Sequence, residues 1–522
     1  MTQWKYIVVG AGSAGATFAA RRAAAGDRVL LLDAGPDYRS SELPDVWRSP
    51  NPMAALMDPQ GWEGLMYPEL EVTRTEGQDP ATYWRGRGLG GSSTINGQIA
   101  IRPPMLDFDD WAAEGCAGWS GAEILPYFAK LESDGDFSGE PYHGADGPIP
   151  IYRAPRDTWG PADRALADGA QAVGIPWIDD INAPNATGVS TYPINSREFR
   201  RVSVNDAYLE PQRENPNLTV RGGSTVDRVL FDGDRAVGVR IVTEEGAVEE
   251  FADEVILAAG AVHTPTILLR SGIGPRAALE SIEVAQRAEL PVGEGLQDHL
   301  MVLVDIVLSA ALPPVGALDR HTNIAARIDS GDPEGKPQDL MLVSLNQNVL
   351  AMEFADTSHG AAAIGVWLNQ AYSRGRIVLR SADPLEQPFV EERMLSDERD
   401  LRRMRTAARL LADICRTAEV SAIAEVPVER SAADFYAAID SGDDAQLDAY
   451  LLARGGDAQH ATSTCRMGAA DDPRSVVDTE CRVIGFQALR VIDASVFPSV
   501  PRANTHLAVV AIAEAMADRV AR

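Results

Sequence analysis

The chain has 522 residues, more than one hydrophobic core usually serves, and with 45% of them hydrophobic it carries apolar material for two domains. Its 47 Lys and Arg stand against 76 Asp and Glu, a formal net charge of −29 that repels phosphate backbones and anionic lipid, so nucleic acid is excluded as a partner. The acidity reads as a self-repelling soluble surface and selects no substrate. Four cysteines, Cys116, Cys415, Cys465 and Cys481, form neither a disulfide framework nor a Cys-x-x-Cys metal signature, so no metal site is expected and a reducing compartment fits. Met1 to Lys5 lead straight into an apolar run with no export signal, and no apolar run reaches the ~18 residues of a membrane-spanning helix. A cytoplasmic protein without a membrane segment is the expectation.

Tyr6–Val9 predicts a buried strand, the Ala-rich stretch Ser13–Ala25 a helix ending at Gly26, and Arg28–Asp33 a second buried strand. This order is the βαβ unit of a parallel, doubly wound sheet. Gly10, Gly12 and Gly15, with Ser13 and Ala14 between them, follow the first strand directly. The first glycine permits the tight turn, the second admits a pyrophosphate, the third lets helix and strand pack, and the helix start faces the phosphates. Asp33 closes the next strand, where a carboxylate can accept hydrogen bonds from a ribose. A dinucleotide is implied, but the fingerprint alone does not separate FAD from NAD.

Further along, Glu254–Gly260 and Leu489–Ser495 read as buried strands ending in small residues. Between them, about residues 151–210 and 306–454 have mixed alternation, as in Gly375–Arg380, and charged helical patterns, as in Asp397–Cys415, suggesting a second domain built from separated segments. Loops are expected at Ala310–Arg320 and Gly331–Gln338.

Tyr83-Trp-Arg-Gly-Arg-Gly-Leu-Gly-Gly-Ser-Ser-Thr-Ile-Asn-Gly97 resembles the first signature of the glucose-methanol-choline (GMC) oxidoreductase family. Gly260–Pro275 resembles the second, and Leu290–His299, His460–Gly468, Val491–Ser495 and Asn504–His506 are similar to further family segments. The resemblance spans the chain. It implies an α/β fold: a Rossmann-type FAD-binding domain with a parallel sheet (residues 1–150, 210–305 and 455–522) and an α+β substrate domain carrying an antiparallel sheet (151–209 and 306–454). It implies FAD held by the fingerprint residues, Asp33 and Ala34, by Arg85, Gly90, Gly91, Ser92, Asn96 and Gly97, by Val226 against adenine, and by Asp493, Ala494, Asn504 and Thr505. Bare backbone at Gly88–Gly91 suits a large planar cofactor, and Ser92, Ser93 and Asn96 supply donors and acceptors. Some relatives attach flavin through a histidine where this chain has Ile95, so the FAD is expected to be non-covalent.

The implied activity is oxidation of a small-molecule alcohol to an aldehyde or ketone, by hydride transfer to flavin N5 with electrons passed on to oxygen or another acceptor. Loss of hydride from a carbinol needs a base at the hydroxyl and a donor for the developing alkoxide. The resemblance places His460 as base and, by the register of the last helix, Asn504 rather than His506 as its partner. His143, His263, His299, His321 and His359 are expected to be structural, and Cys465 to be packing. Trp367 and Asn369 are candidates for substrate contact. The alternative within the family is a non-redox or photochemical member, a hydroxynitrile lyase or a fatty acid photodecarboxylase.

Overall fold

Three β-sheets organise the computed structural model of the chain, which describes residues 4–52, 55, 64–313, 315–316, 319–347 and 361–521. His359 and part of the expected 310–320 loop lie outside the described residues. The first apolar run forms strand β1, Trp4–Val9, followed by helix α1, Ser13–Ala24, and strand β2, Val29–Leu32. All four residues of β2 are buried, as suits a strand covered on both faces.

In this seven-stranded sheet β2 lies between Leu218–Arg221 and β1, and β1 pairs on its other side with Gly246–Leu257, all in parallel. The long strand Gly246–Leu257 serves two partners. Its second half runs parallel to β1 and to Leu489–Val491, while its first half pairs antiparallel with Arg235–Thr243, which continues to Thr225–Asp232. A core including Phe18, Trp111, Trp119 and Phe128, all fully buried, fills in around this sheet.

The second sheet has six antiparallel strands, in the order Gly456–Asp457, Leu300–Val307, Ala361–Leu368, Leu340–Leu345, Ile324–Ile328 and Gly188–Thr191. Leu300, Val302, Leu342 and Val366 turn inward to a separate core with Met404 and Leu411. Those last two come from the helix Glu398–Cys415, whose start is capped by the Asp397 carboxylate accepting from Arg399 N at 3.0 Å. Its apolar residues recur at helical spacing and pack on Ala361–Leu368, each fully buried Leu or Ile contributing about 2 kcal/mol. A five-stranded sheet joins Glu71–Thr73 and Ala81–Thr82 to Gly375–Val378, Phe389–Glu391 and Glu294–Leu296. No described helix is long and apolar enough to cross a membrane, and all four cysteines are buried and free.

A buried charge network ties residues 102–153 to the 180 turn. His143 lies 2.7 Å from Glu132 and 2.9 Å from Asp180; Arg102 reaches Glu132 at 2.6 Å, and Arg153 reaches Asp134 at 2.9 Å and Asp180 at 3.0 Å. Burial opposes a charge on His143, but the hydrogen bonds to Asp180 and Glu132 outweigh it and raise its pKa to about 9. Because the folded value lies above the unfolded one, the stabilisation is full below about pH 6.5 and disappears as pH rises through about 9. Replacing His143 by Gln should cost about 3 kcal/mol at pH 6. Denaturant unfolding of both proteins across pH should show that difference shrinking through the alkaline range; a pH-independent difference would contradict the assignment.

Candidate active site

Close backbone approach makes the first wall of the site. Gly10 has φ +99°, and a Cβ there would lie 2.5 Å from the Ala258 carbonyl oxygen; a Cβ on Gly15 would lie 1.8 Å from the Gly10 carbonyl oxygen. Helix α1 therefore starts flush against β1, and its first turn opens into a cavity of about 680 Å³. From the second Gly-rich segment Gly91 approaches so closely that a Cβ on it would stand 2.8 Å from Gly12 Cα. Every residue expected to hold the cofactor lines this cavity except Gly15 and Gly90. Gly15 sits behind the wall at the helix–strand contact, and Gly90, at φ +89°, serves the turn into Gly91–Thr94.

The two acids on this wall are already engaged. The Asp33 carboxylate accepts the backbone N–H groups of Ala11 and Gly35 at 2.8 Å and of Gly88 at 2.9 Å, which leaves one acceptor position on Oδ2. Asp493 accepts from Gly260 N, the Thr264 hydroxyl and Ser495 N, so it fixes the start of the helix Gly260–Arg270. Ile95 is buried on the cavity wall.

The opposite wall is the face of the antiparallel sheet turned away from its core. Met301 and Trp367 are cross-strand partners there, joined by Val343, Leu345 and the nearby Tyr192. His460 lies between the walls, its ring 5.6 Å from that of Trp367 in an edge-to-face arrangement. Asn369 is fully buried but off the wall, and neither amide atom has a partner among the described residues.

Asp298 positions His460. Its Oδ1 accepts the backbone N–H of His460 at 2.7 Å and that of His299 at 2.6 Å, and its Oδ2 accepts from the Tyr83 hydroxyl at 2.5 Å. Gln459, immediately before His460, has φ +61°, and its carbonyl is held by Arg85 at 2.6 Å. Strained backbone next to a reactive side chain persists only where its surroundings over-determine it, as here.

The hydrogen-bond pattern also sets the proton on the ring. The Tyr192 hydroxyl donates to Asn504 Oδ1 at 2.9 Å, which turns Asn504 Nδ2 toward His460 Nε2 at 3.2 Å. Nε2 is then the acceptor, so Nδ1 carries the hydrogen and donates to His299 Nδ1 at 2.8 Å. Burial, then the neighbouring His299 and Arg85, holds the His460 pKa well below its usual value. Burial likewise lowers His299 to about 4, against the carbonyls of Asn369 and Pro501. Both rings are neutral at neutral pH, and His460 Nε2 and the Asn504 amide face the cavity bonded to each other.

Three residues here are missed by the sequence reading. His299 touches His460 instead of merely packing, His321 lines the cavity, and Tyr192 orients Asn504. The Asp298-His299 pair ahead of an alternating strand was the one available signal. His506, off the pair, meets Ser13 Oγ at 3.0 Å through Nδ1. Behind Asp298 lie Asp457, bound by Arg74, and Glu392, with carboxylate oxygens within 4.8 Å of one another. Burial, then the charges of Asp457 and Asp298, raises the Glu392 pKa well above the usual range, and a side-chain hydrogen bond to Asp298 adds to it.

The family models described as GMC oxidoreductase match residues 4–301 and 371–513. A 5-(hydroxymethyl)furfural oxidase of Methylovorus sp. is 34% identical over 539 residues, covering 99% of this chain and 99% of the relative. An oxygen-dependent choline dehydrogenase of Ectopseudomonas mendocina is 35% identical over 554 residues, covering 99% and 94%. The crystal structure of pyridoxine 4-oxidase from Mesorbium loti superposes with a TM-score of 0.85 at 27% identity, covering 99% of both chains.

Gly91→Ala should force the two glycine loops apart at the Gly12 contact and cost about 1–3 kcal/mol. The expected outcome is a soluble protein that purifies without visible chromophore; a fully coloured variant would show that the approach is not needed.

Proposed function

The chain belongs to the GMC oxidoreductase family, and on that premise we propose that it oxidises a small-molecule alcohol to an aldehyde or ketone with a non-covalently bound FAD. The observation that carries this reading is the hydrogen-bonded pair His460–Asn504 at 3.2 Å, facing a cavity walled on one side by the glycine loops and on the other by an apolar sheet. The cavity is continuous from the Gly10 turn to His460, and its bare backbone suits a dinucleotide with a planar ring. Gly10, Gly12, Ser13 and Ala14 would hold the pyrophosphate. Asp33 would take a ribose hydroxyl at its remaining acceptor position, Val226 would lie against adenine, and Arg85, Gly91, Ser92, Asn96, Gly97, Asp493, Ala494, Asn504 and Thr505 would surround the rest. Ile95 offers no nucleophile for a covalent link. When bound, FAD supplies a two-electron acceptor for hydride.

The chain's own groups do the proton work. With its hydrogen on Nδ1, His460 would accept the carbinol proton at Nε2 once the alcohol oxygen replaces that nitrogen as the partner of the Asn504 amide, which then donates to the oxygen as negative charge develops there. His299 receives the Nδ1 hydrogen bond and keeps the ring in that tautomer. A base held neutral by burial needs no prior deprotonation across the neutral range. Met301, Val343, Leu345 and Trp367 give the substrate end an uncharged, largely apolar face. Oxygen or another acceptor would take the electrons afterwards. We assign the cofactor to residues 1–150, 210–305 and 455–522 and the substrate to 151–209 and 306–454, with the strand Leu300–Val307 contributing to the substrate sheet.

Anaerobic mixing of the coloured protein with a panel of aromatic, aliphatic and quaternary ammonium alcohols should bleach the flavin. His460→Ala should slow the bleaching about 10²–10⁴-fold and Asn504→Ala about 10²-fold. Failure of every alcohol, with cyanide release from a hydroxynitrile or light-dependent decarboxylation instead, would replace this reading.

A further inference from the structure

In a chain of net charge −29, one stretch of the cavity wall hides a cation with no counter-ion. Arg201 is 6% exposed. Its Nη1 donates to the Ser93 carbonyl at 3.1 Å and to Asn96 Oδ1 at 2.8 Å, and its Nε and Nη2 have no partner among the described residues. Arg403 and Arg502 are buried as deeply, but each reaches a carboxylate, at 2.6 Å to Asp400 and 2.7 Å to Asp107, while Arg327, also buried without an ion pair, donates to the Ile181 and Arg102 carbonyls off the cavity wall. The carboxylate acting most on Arg201, Asp206, is beyond ion-pair distance and is held by the Ser203 backbone and hydroxyl.

The surroundings add no negative charge. Ser93 and Asn96 line the cavity, as do His321 and His506. Burial, then the Arg201 charge, lowers His321 to about 3 and His506 to about 4, so both are neutral. The start of the helix Thr505–Arg519 lies on the same wall with the positive end of its dipole. Burial depresses Arg201 itself only to about 9, which leaves it charged. An ion taken out of water without a counter-ion is costly even where carbonyls accept from it, so a negative charge belongs opposite it.

The reaction proposed above produces one. The alcohol proton moves to His460 and the C–H electron pair leaves as hydride, so the products are a neutral carbonyl compound, an imidazolium and a cofactor with one added negative charge. We propose that Arg201, held behind Ser93 and Asn96, is the fixed cation that stabilises the negative charge of the reduced flavin. It acts through the field in a buried, low-dielectric site, without touching the substrate. The inference rests on the FAD reading but not on the identity of the alcohol.

The test compares wild type with Arg201→Gln and Arg201→Lys, each at matched flavin content. Sulfite adds to oxidised flavin and leaves a negative charge on the ring, so its dissociation constant reports the field. Arg201→Gln should weaken sulfite binding about tenfold or more and Arg201→Lys by about threefold at most. In wild type, titration of the photoreduced protein should show the flavin remaining anionic at pH values where free reduced flavin takes up a proton. Wild-type sulfite affinity in Arg201→Gln would overturn the proposal, as would an equal loss in Arg201→Lys. If Arg201→Gln retains no flavin, the wild-type titration decides: protonation at the value of free reduced flavin overturns it. Loss of sulfite affinity in Arg201→Gln in a protein that no alcohol bleaches would uphold Arg201 and discard the alcohol reading.

Discussion

Asp298 is the carboxylate on which the rest of the site depends, because it holds the backbone N–H groups of His299 and His460 and the Tyr83 hydroxyl at once. Those contacts bring together three segments far apart in the chain: the Gly-rich stretch that begins at Tyr83, the entry to the antiparallel sheet, and the loop that delivers His460. A buried carboxylate is costly unless hydrogen-bonded, and here two backbone donors and a phenol occupy three of its four acceptor positions. Glu392 lies beside it, and burial with the neighbouring carboxylates raises the Glu392 pKa well above the usual range.

Those buried acids have a counterpart on the far side of the cavity. Burial keeps His460, His299, His321 and His506 neutral, and any step that leaves a proton on His460 raises the charge of a dry site. A compensating negative charge must appear close by, and Arg201 supplies the field in which it is tolerable. The acidic exterior therefore says little about the chemistry, since the interior potential is set by a few groups where the dielectric is low.

Much of the first sheet was legible in the order of strand, glycine fingerprint, helix and strand, because a period of apolar residues and three glycines are local properties. The helix at 398–415 was legible for the same reason, and its cap falls at Asp397 as its pattern predicts. The five-stranded sheet was not: Glu71–Thr73 and Phe389–Glu391 are three residues each and pair in parallel across most of the chain. No local pattern that short specifies a distant partner. The contact of His299 with His460 was illegible for a similar reason, since it is a 2.8 Å approach between residues 161 positions apart.

By itself the sequence determined the βαβ unit and the family signatures, and it pointed to the glycine cradle and to His460 with Asn504, all carried by residue types at short spacings. Only the tertiary structure decided that Asp33 is largely occupied by backbone donors, that His460 is hydrogen-bonded to His299, that Tyr192 orients Asn504 and that Arg201 is buried without a counter-ion. The physical reason is common to all four. Tautomers, lone-pair occupancy and unpaired charge depend on which groups meet and on how much water remains between them, and neither is a property of neighbouring residues in the chain.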